Sequence, residues 1–468
     1  MKLDNDQENA ARYINGHSII IASAGSGKTT TLLGKINYLI DSGIKENEIL
    51  VLSYTNETVN SFKKKCQHNV SVFTFHKAAM KFLLSDIDIA DEYLLDDVIS
   101  SFLLSISDKF KKKIYYSFKP RYKPYSIKNY KLFLEENTSN SITNIIKSCV
   151  LIIKTNNINI KELRANIFSK TEKILLYCTN IILNKYNKIL KENRLFDFDD
   201  LIIKATEILN KEKIASSFKH ILVDEYQDIS NIRLNFLEAM INKNNATLTV
   251  VGDDWQSIYR FSGSNIKLFT DFNKYFKESK TFILRTTYRC PQQIIDSSSK
   301  FIMRNKMQIR KKVVSHKKCT YNCIKKIYTG KPKQILYKIL KKIKQSESFF
   351  ILSRNNFDIK NYKSKELYFN NDKVILNNKE LKNGRFLTFH SSKGLEADIV
   401  VIINLVGNNN GFPSLKNNNL IDKIINIKEP IKYAEERRLF YVAMTRAKKM
   451  VYLIIDKVHP SKFIKELK

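Results

Sequence analysis

The chain has 468 residues, of which 43% are hydrophobic and 27% charged, so it is long enough for several packed domains and is not a disordered chain. It carries 80 Lys and Arg against 46 Asp and Glu, a formal net charge of +34. No run of about 18 apolar residues appears, and the N-terminus has no apolar signal segment. We therefore expect a cytoplasmic protein without a membrane partner.

The charge excess has two explanations. A field of this size attracts polyanions, which indicates a nucleic-acid partner. Lys, Asn and Ile are all abundant, however, so part of the excess reflects a compositional bias on solvated faces. The charge therefore supports nucleic-acid binding without establishing it.

Six cysteines are spread along the chain, and only Cys319 and Cys323 are close in sequence. No second Cys/His pair lies near them to complete a tetrahedral zinc site. The pattern favours free thiols in a reducing compartment.

The first predicted elements are a strand at Ser18–Ile21 and an amphipathic helix at Lys28–Ser42, with a glycine loop between them. In this context backbone N–H groups cradle phosphate, Lys28 supplies a positive charge and the Thr29 hydroxyl ligates Mg²⁺. Ala22 stands where the general form of the motif has its first glycine. The residues expected to bind the nucleotide here are Ala24, Gly25, Ser26, Gly27, Lys28, Thr29 and Thr30.

The next elements alternate between strand and helix. They are strands at Ile49–Ser53 and Val70–Thr74, separated by a helix at Glu57–Lys65. This alternation predicts a parallel sheet with helices on both faces.

From about residue 77 to residue 196, apolar spacings of three and four residues predict a helical insertion. Its segment 109–123 interleaves lysines with aromatic residues. That composition suits a surface for a single strand of nucleic acid, and equally a solvated basic loop with its aromatics packed inward.

Asp224 and Glu225 directly follow a predicted strand at Ile221–Val223. Two carboxylates at this position, after a phosphate loop, predict hydrolysis of a nucleoside triphosphate. Asp224 and Thr29 would hold Mg²⁺, and Glu225 would polarise the attacking water.

A third polar segment follows the strand at Thr247–Val251. Gln256 is placed to sense a γ-phosphate, while Tyr259 and Phe261 either stack on bases or belong to the core. Further strands are predicted at Thr281–Leu284, Leu387–Phe389, Asp398–Ile403 and Met450–Ile455.

These motifs resemble those of superfamily 1 helicases of the UvrD/Rep type, and most closely their bacterial helicase IV branch. The resemblance continues in family order through Leu3–Gln7, Ser53–Asn56, Thr74–His76, Phe198–Leu201, Thr286–Arg289, Thr388–Glu396 and Glu435–Arg446. It implies an ATP site in which Gln7 and Tyr288 contact adenine, Glu396 contacts ribose, and Gln256, Arg289 and Arg446 reach the γ-phosphate. It implies DNA contacts by Thr55, Asn56, Thr74, His76, Tyr259, Phe261 and His390.

Two departures mark the chain within that family. Phe261-Ser262 replaces the usual Trp-Arg, and Thr287 replaces an Asn. Both changes are similar to the helicase IV branch, so we interpret them as a subfamily mark.

The resemblance implies an α/β fold with two RecA-like motor domains. The first is expected at residues 1–76 and 197–280, with a helical DNA-binding insertion at 77–196, and the second at 281–468. About 100 residues separate Arg289 from His390. We therefore expect the large insertion of the second domain to be absent or vestigial, and no N-terminal extension or C-terminal nuclease domain.

The implied function is an ATP- and Mg²⁺-dependent translocase or helicase that moves 3′→5′ on single-stranded DNA and on tailed duplexes. The alternative is a DNA-activated ATPase switch, a subunit of a nuclease or defence complex that signals to a nuclease or repair partner and need not unwind DNA.

Overall fold

The computed structural model describes residues 2–83, 87–118, 142–163, 167–211, 217–408, 411–414, 419–425 and 431–467. Residues 119–123 of the basic and aromatic segment lie outside this part of the chain. Within it, no helix combines the length and the apolar character needed to cross a membrane.

Strands and helices are numbered here in chain order. The strands are β1 Ser18–Ile21, β2 Ile49–Ser53, β3 Ser71–Thr74, β4 Asp88–Ile89, β5 Leu195–Phe196, β6 His220–Val223, β7 Thr247–Gly252, β8 Lys280–Ile283, β9 Thr286–Thr287, β10 Val314–Ser315, β11 Ile324–Thr329, β12 Phe349–Ser353, β13 Leu367–Asn370, β14 Lys373–Leu376, β15 Lys379–Thr388, β16 Ala397–Leu405 and β17 Ala447–Asp456. The helices are α1 Asn5–Arg12, α2 Lys28–Asp41, α3 Asn56–Lys65, α4 Phe75–Met80, α5 Leu94–Ser105, α6 Asp108–Phe118, α7 Thr143–Thr155, α8 Lys170–Glu192, α9 Phe198–Lys211, α10 Asn231–Asn244, α11 Lys267–Thr270, α12 Phe272–Tyr275, α13 Gln292–Ile302, α14 Pro332–Lys342, α15 Asn419–Ile424, α16 Ala434–Met444 and α17 Lys462–Glu466.

The first sheet is parallel and has the strand order β3-β2-β6-β7-β1-β8. Its central strands are short runs of Ile, Leu and Val that are buried along their whole length. Such strands need helices on both faces, and apolar clusters do cover both sides of this sheet. The carboxyl ends of β1, β6 and β7 consequently lie at one edge, where the polar motifs follow.

Two structural features lie at the expected edges of the first domain, which remain a prediction. Strand β8 pairs with β1, with Ser18 opposite Lys280, so the sheet extends past residue 280 to Ile283. Phe75 and Phe82 pack in the same core, so the boundary at residue 76 falls inside helix α4. The alternation of strand and helix patterns along the sequence could not predict this pairing, because it does not indicate which sheet a strand joins.

The second sheet has the order β11-β17-β16-β12-β15-β14-β13 and is parallel from β11 to β15. Strands β13, β14 and β15 form an antiparallel meander at its edge. The structure describes all of residues 290–389, the stretch in which we expected the large insertion of the second domain to be absent or vestigial. This stretch contains the short meander and no large inserted subdomain. The two sheets, the helical layers around them and the reduced insertion confirm the expected fold class.

The helices of the insertion have a core of their own, formed by α5, α6, α7 and α8. Helix α15, from the second half of the chain, joins this core through Leu420 and Ile421. An ion pair of 2.6 Å between Lys423 and Glu172 closes the contact. The insertion therefore touches both halves of the molecule.

Candidate active site

The phosphate loop follows β1 and turns into α2 through two glycines with positive φ, Gly25 at 74° and Gly27 at 79°. A Cβ on Gly25 would lie 2.4 Å from the Cβ of Arg289, and one on Gly27 would lie 2.5 Å from Nε2 of Gln7. Both positions therefore require glycine for conformation and for space. Ser26 donates its backbone N–H to the Ser23 carbonyl at 3.2 Å, which closes the loop. The loop is a cradle for phosphate at the N-terminus of α2.

Two carboxylates face this loop from the end of β6. Lys28 Nζ contacts Glu225 Oε1 at 3.0 Å, with both side chains largely buried. Burial lowers the pKa of Lys28, but Glu225 and Asp224 more than offset it and leave that pKa raised. Burial raises the pKa of Glu225, but Lys28 and Lys393 reverse this and hold it well below its usual range. Glu225 also has φ 55°, a strained conformation that aims its carboxylate at the loop.

Asp224 lies beside Glu225, and the pKa of Asp224 is raised, first by burial and then by the Glu225 charge. The Thr29 hydroxyl hydrogen-bonds to the Asp224 carboxylate. Hard oxygen donors of this kind suit Mg²⁺, which takes one or two protein ligands and completes its shell with phosphate and water. The donor set of Thr29 and Asp224 therefore fits a nucleotide-bound Mg²⁺, whose charge would also offset the repulsion between the two carboxylates.

Gln256 connects the two sheets. Its Nε2 donates to Asp253 Oδ2 at 2.6 Å, and its Oε1 accepts from Arg446 Nη2 at 2.8 Å. Asp253 follows β7 of the first sheet, whereas Arg446 lies between α16 and β17 of the second. Arg446 is 1% exposed, and burial followed by the charge of Arg289 lowers its pKa to about 9. An arginine held this tightly beside another cation is placed to receive an anion.

Arg289 lies on the segment that folds over the phosphate loop. Thr287 donates its hydroxyl to the Ala24 carbonyl at 2.7 Å, and the Tyr288 N–H donates to the Gly25 carbonyl at 2.9 Å. The Arg289 guanidinium contacts Glu396 at 2.8 Å. Thr287 therefore anchors this segment directly to the loop.

Gln7 and Tyr288 both contact the backbone of the phosphate loop. Gln7 donates to the Ser26 carbonyl at 3.0 Å and accepts from the Asp4 N–H at 3.1 Å. Tyr288 is 38% exposed, and its hydroxyl donates to Asp4 at 2.6 Å. Glu396 is shared between Arg289 and Lys448. Thr30 lies in the first turn of α2, half-buried. The residues predicted for the nucleotide thus surround one loop.

Comparison with protein families agrees with this geometry. Residues 3–277 match the UvrD/REP helicase N-terminal domain, and residues 366–457 match the UvrD-like helicase C-terminal domain. The chain belongs to the UvrD/Rep helicase family. The resemblance identified from the sequence motifs is therefore confirmed.

Three curated relatives illustrate the coverage within the UvrD/Rep family. DNA helicase IV of Escherichia coli is 29% identical over 98% of this chain and 69% of its own length. A probable DNA helicase II homolog of Mycoplasma capricolum is 30% identical over 76% of this chain and 49% of its own length. The ATP-dependent DNA helicase Rep of Buchnera aphidicola subsp. Schizaphis graminum is 26% identical over 76% of this chain and 54% of its own length. The chain thus spans about half the length of the last two.

The UvrD/Rep residues predicted for DNA contact lie in two groups. In the first, Thr55 and Thr74 cap helices α3 and α4 by accepting from Thr58 N and Lys77 N, each at 3.2 Å. Asn56, at the start of α3, is exposed. The His76 ring lies 5.1 Å from that of Phe198, which is 53% exposed. Sequence analysis placed Phe198 only within the Phe198–Leu201 motif and did not predict that its ring lies beside His76.

The second group lies where the two halves of this UvrD/Rep protein meet. Phe261 is 45% exposed and its ring lies 6.0 Å from that of Tyr259 and 5.5 Å from that of His390. Tyr259 and Phe261 are therefore not both core residues. Lys393 lies over the Tyr259 ring at 4.5 Å and pairs with Asp228 at 2.5 Å, with both charges nearly buried. This ion pair connects the aromatic group to the segment that follows Asp224 and Glu225.

Sequence reasoning also missed Lys311. Its side chain is 0% exposed and contacts Asp253 at 2.6 Å, Asp254 at 3.0 Å and the Ala22 carbonyl at 2.6 Å. Since Asp253 accepts a hydrogen bond from Gln256, Lys311 helps to fix the position of Gln256. The sequence around Lys311 gives no sign that its side chain is buried, because residues 310–312 are all basic.

Replacing Lys311 with methionine is expected to destabilise the protein by about 3–5 kcal/mol, because two carboxylates are left buried without a counter-ion. Urea unfolding measures the change. The matched control is Lys312→Met, which alters an exposed neighbour. Equal unfolding midpoints for the two variants would show that the buried cluster does not depend on Lys311.

His390 gives a pH-dependence that can be isolated. Burial, followed by the charges of Arg354 and Lys393, lowers its folded pKa to about 3. The unfolded chain takes up that proton near its ordinary pKa of about 6.5, so the contribution of His390 to stability falls as pH drops below that value. Between about pH 6.5 and pH 5 the wild type should lose about 2 kcal/mol more than His390→Gln. Urea unfolding at both pH values, with the exposed His459→Gln as control, measures the difference.

Proposed function

We propose that this protein is an ATP- and Mg²⁺-dependent single-stranded-DNA translocase and helicase that moves 3′→5′. The observation that carries the proposal is the bond between Gln256 and Arg446. This hydrogen bond joins Gln256, which follows strand β7 of the first sheet, to Arg446, which precedes strand β17 of the second sheet. An ATP held there touches both sheets, so its arrival and hydrolysis would close and open the cleft.

Each residue of the site has a distinct task in hydrolysis. Lys28 and the loop amides bind the β- and γ-phosphates, and Thr29 with Asp224 would hold Mg²⁺, which neutralises developing charge on the phosphates when bound. Glu225 orients and deprotonates the attacking water. Arg289 and Arg446 stabilise the charge of the transferring phosphoryl group. Gln7 and Tyr288 would face the base, and Glu396 the ribose.

The route from ATP to DNA runs through the aromatic group. Lys393 joins Asp228 to the face of Tyr259, so a change beside Glu225 reaches Tyr259, Phe261 and His390 through two contacts. Stacking on bases requires no particular sequence, which suits a motor that moves along any single strand. The 3′→5′ direction rests on the family resemblance.

Wild-type protein should hydrolyse ATP slowly alone and many-fold faster with single-stranded DNA. Lys28→Ala should lower the stimulated rate by about 10²–10³-fold, because it removes the main charge on the phosphates. A coupled ATPase assay measures both. The control, Lys45→Ala just beyond the end of α2, should keep the wild-type rate. Retained turnover in Lys28→Ala would contradict the assigned site.

The ATPase-switch function remains the second candidate, because the short meander β13–β15 replaces a large subdomain and leaves few accessory elements among the described residues. In that case a nuclease or repair protein would be the partner and the ATPase would respond to DNA without separating strands. Either function is consistent with work in the cytoplasm.

A further inference from the structure

Cys319 and Cys323 form a close thiol pair. Their sulfur atoms lie 2.9 Å apart. Both thiols also contact the Tyr321 carbonyl oxygen, at 3.4 Å and 3.3 Å, so one tight loop brings the pair together. A zinc site requires about four such ligands, and the described residues hold no cluster of even three metal-binding side chains. The pair is therefore placed for chemistry between the sulfurs.

The two thiols differ in access. Cys319 is partly exposed, whereas Cys323 is fully buried. Burial acts to raise the pKa of Cys319, but hydrogen bonds from Cys323 and Tyr321 leave it below its ordinary value. Burial, followed by the neighbouring Cys319, raises the pKa of Cys323. The thiolate, which is the nucleophile, therefore forms first at the sulfur that solvent can reach.

We propose that Cys319 and Cys323 are a reversible disulfide-forming site whose oxidant is a peroxide. The Cys319 thiolate attacks hydrogen peroxide: an S–O bond forms, the O–O bond breaks, and the departing hydroxide takes a proton to become water. Cys323 then attacks the Cys319 sulfur, so the S–S bond forms, the S–O bond breaks and a second water leaves. The two sulfurs lose two electrons, which the peroxide gains.

The site lies directly behind the arginine of the ATP cleft. Lys317 Nζ, just before the loop, donates to the Arg289 carbonyl at 2.7 Å and to the Lys448 carbonyl at 3.3 Å. The Cys323 N–H donates to Gln293 at 2.6 Å, on the helix that follows Arg289. A disulfide would therefore fix a loop that supports the backbone of Arg289. Reversible disulfides of this kind in reducing compartments are usually redox-sensing.

The test treats the folded, full-length protein with hydrogen peroxide at equimolar amount, then unfolds it, blocks remaining thiols with N-ethylmaleimide and digests with trypsin. Cleavage after Lys318 and Lys325 gives one peptide that contains both cysteines. We expect that peptide to lack two hydrogens and to carry no label, and dithiothreitol to restore two labelled thiols. Cys66, half-buried without a neighbouring thiol, should stay labelled.

Two variants test the order of the steps. Cys323→Ser should leave Cys319 as a sulfenic acid that dimedone traps, whereas Cys319→Ser should leave Cys323 unreacted because it is buried. The proposal is overturned if both thiols remain labelled after peroxide, if Cys319 passes to sulfinic acid in the wild type without linking, or if added zinc protects both thiols.

Discussion

Glu225→Gln should bind ATP with an affinity close to that of the wild type and hydrolyse it about 10³-fold more slowly. The substitution keeps the shape of the side chain and an oxygen that accepts from Lys28, now at 3.0 Å. It removes the base that takes the proton from water, and a positioned base is worth about 10²–10⁴-fold. The low pKa of Glu225, held down by Lys28 and Lys393, keeps the wild-type carboxylate ionised at neutral pH.

Equilibrium binding of a fluorescent ATP analogue and single-turnover hydrolysis separate the two effects. Glu207→Gln, an exposed carboxylate on α9, is the control and should match the wild type in both. If Glu225→Gln hydrolyses ATP at a tenth of the wild-type rate or faster, Glu225 is not the base.

Arg289→Gln should lower the hydrolysis rate by about 10³-fold, because an arginine that stabilises the transferring phosphoryl group contributes about 10³–10⁵-fold. In the structure the guanidinium rests on Glu396 at 2.8 Å, and a γ-phosphate at the loop would draw it inward. The loss should fall mainly on kcat, with a smaller change in KM, since the charge is needed most in the transition state.

Lys448→Met provides the matched control. It removes the other cation on Glu396, at 2.7 Å, from a side chain with no contact to the loop. Its effect should stay within about threefold, since a half-exposed ion pair contributes little. Equal losses in the two variants would mean that both act only through Glu396.

The local motifs predicted which residues the structure brings together at the phosphate loop. Asp224 and Glu225 directly follow strand β6, Lys28 and Thr29 follow strand β1 through the glycine loop, and parallel strands bring such ends to one edge. The strands of the first sheet were predicted to within one residue, since continuous Ile and Val runs suit strands buried on both faces. The strand expected at Leu387–Phe389 is instead the end of β15, which begins at Lys379. Where residues meet because each follows the end of a strand, the local sequence pattern was sufficient to predict that they lie together.

Contacts between distant segments could not be predicted in the same way. Lys311 reaches Asp253 across 58 residues, and Lys393 reaches Asp228 across 165 residues. Each is one lysine among many in this chain, and only burial distinguishes it. The pairing of β8 with β1 could not be predicted for a related reason, because it is not a local property of the sequence.

The most direct test of the proposed function follows strand separation on matched 3′-tailed and 5′-tailed duplexes, with ATP hydrolysis recorded in the same reactions. The proposal predicts that only the 3′-tailed duplex is separated, that separation requires ATP, and that Glu225→Gln abolishes it. DNA-stimulated hydrolysis that separates neither duplex would contradict an autonomous helicase and favour the ATPase switch. Separation of the 5′-tailed duplex alone would contradict the proposed direction.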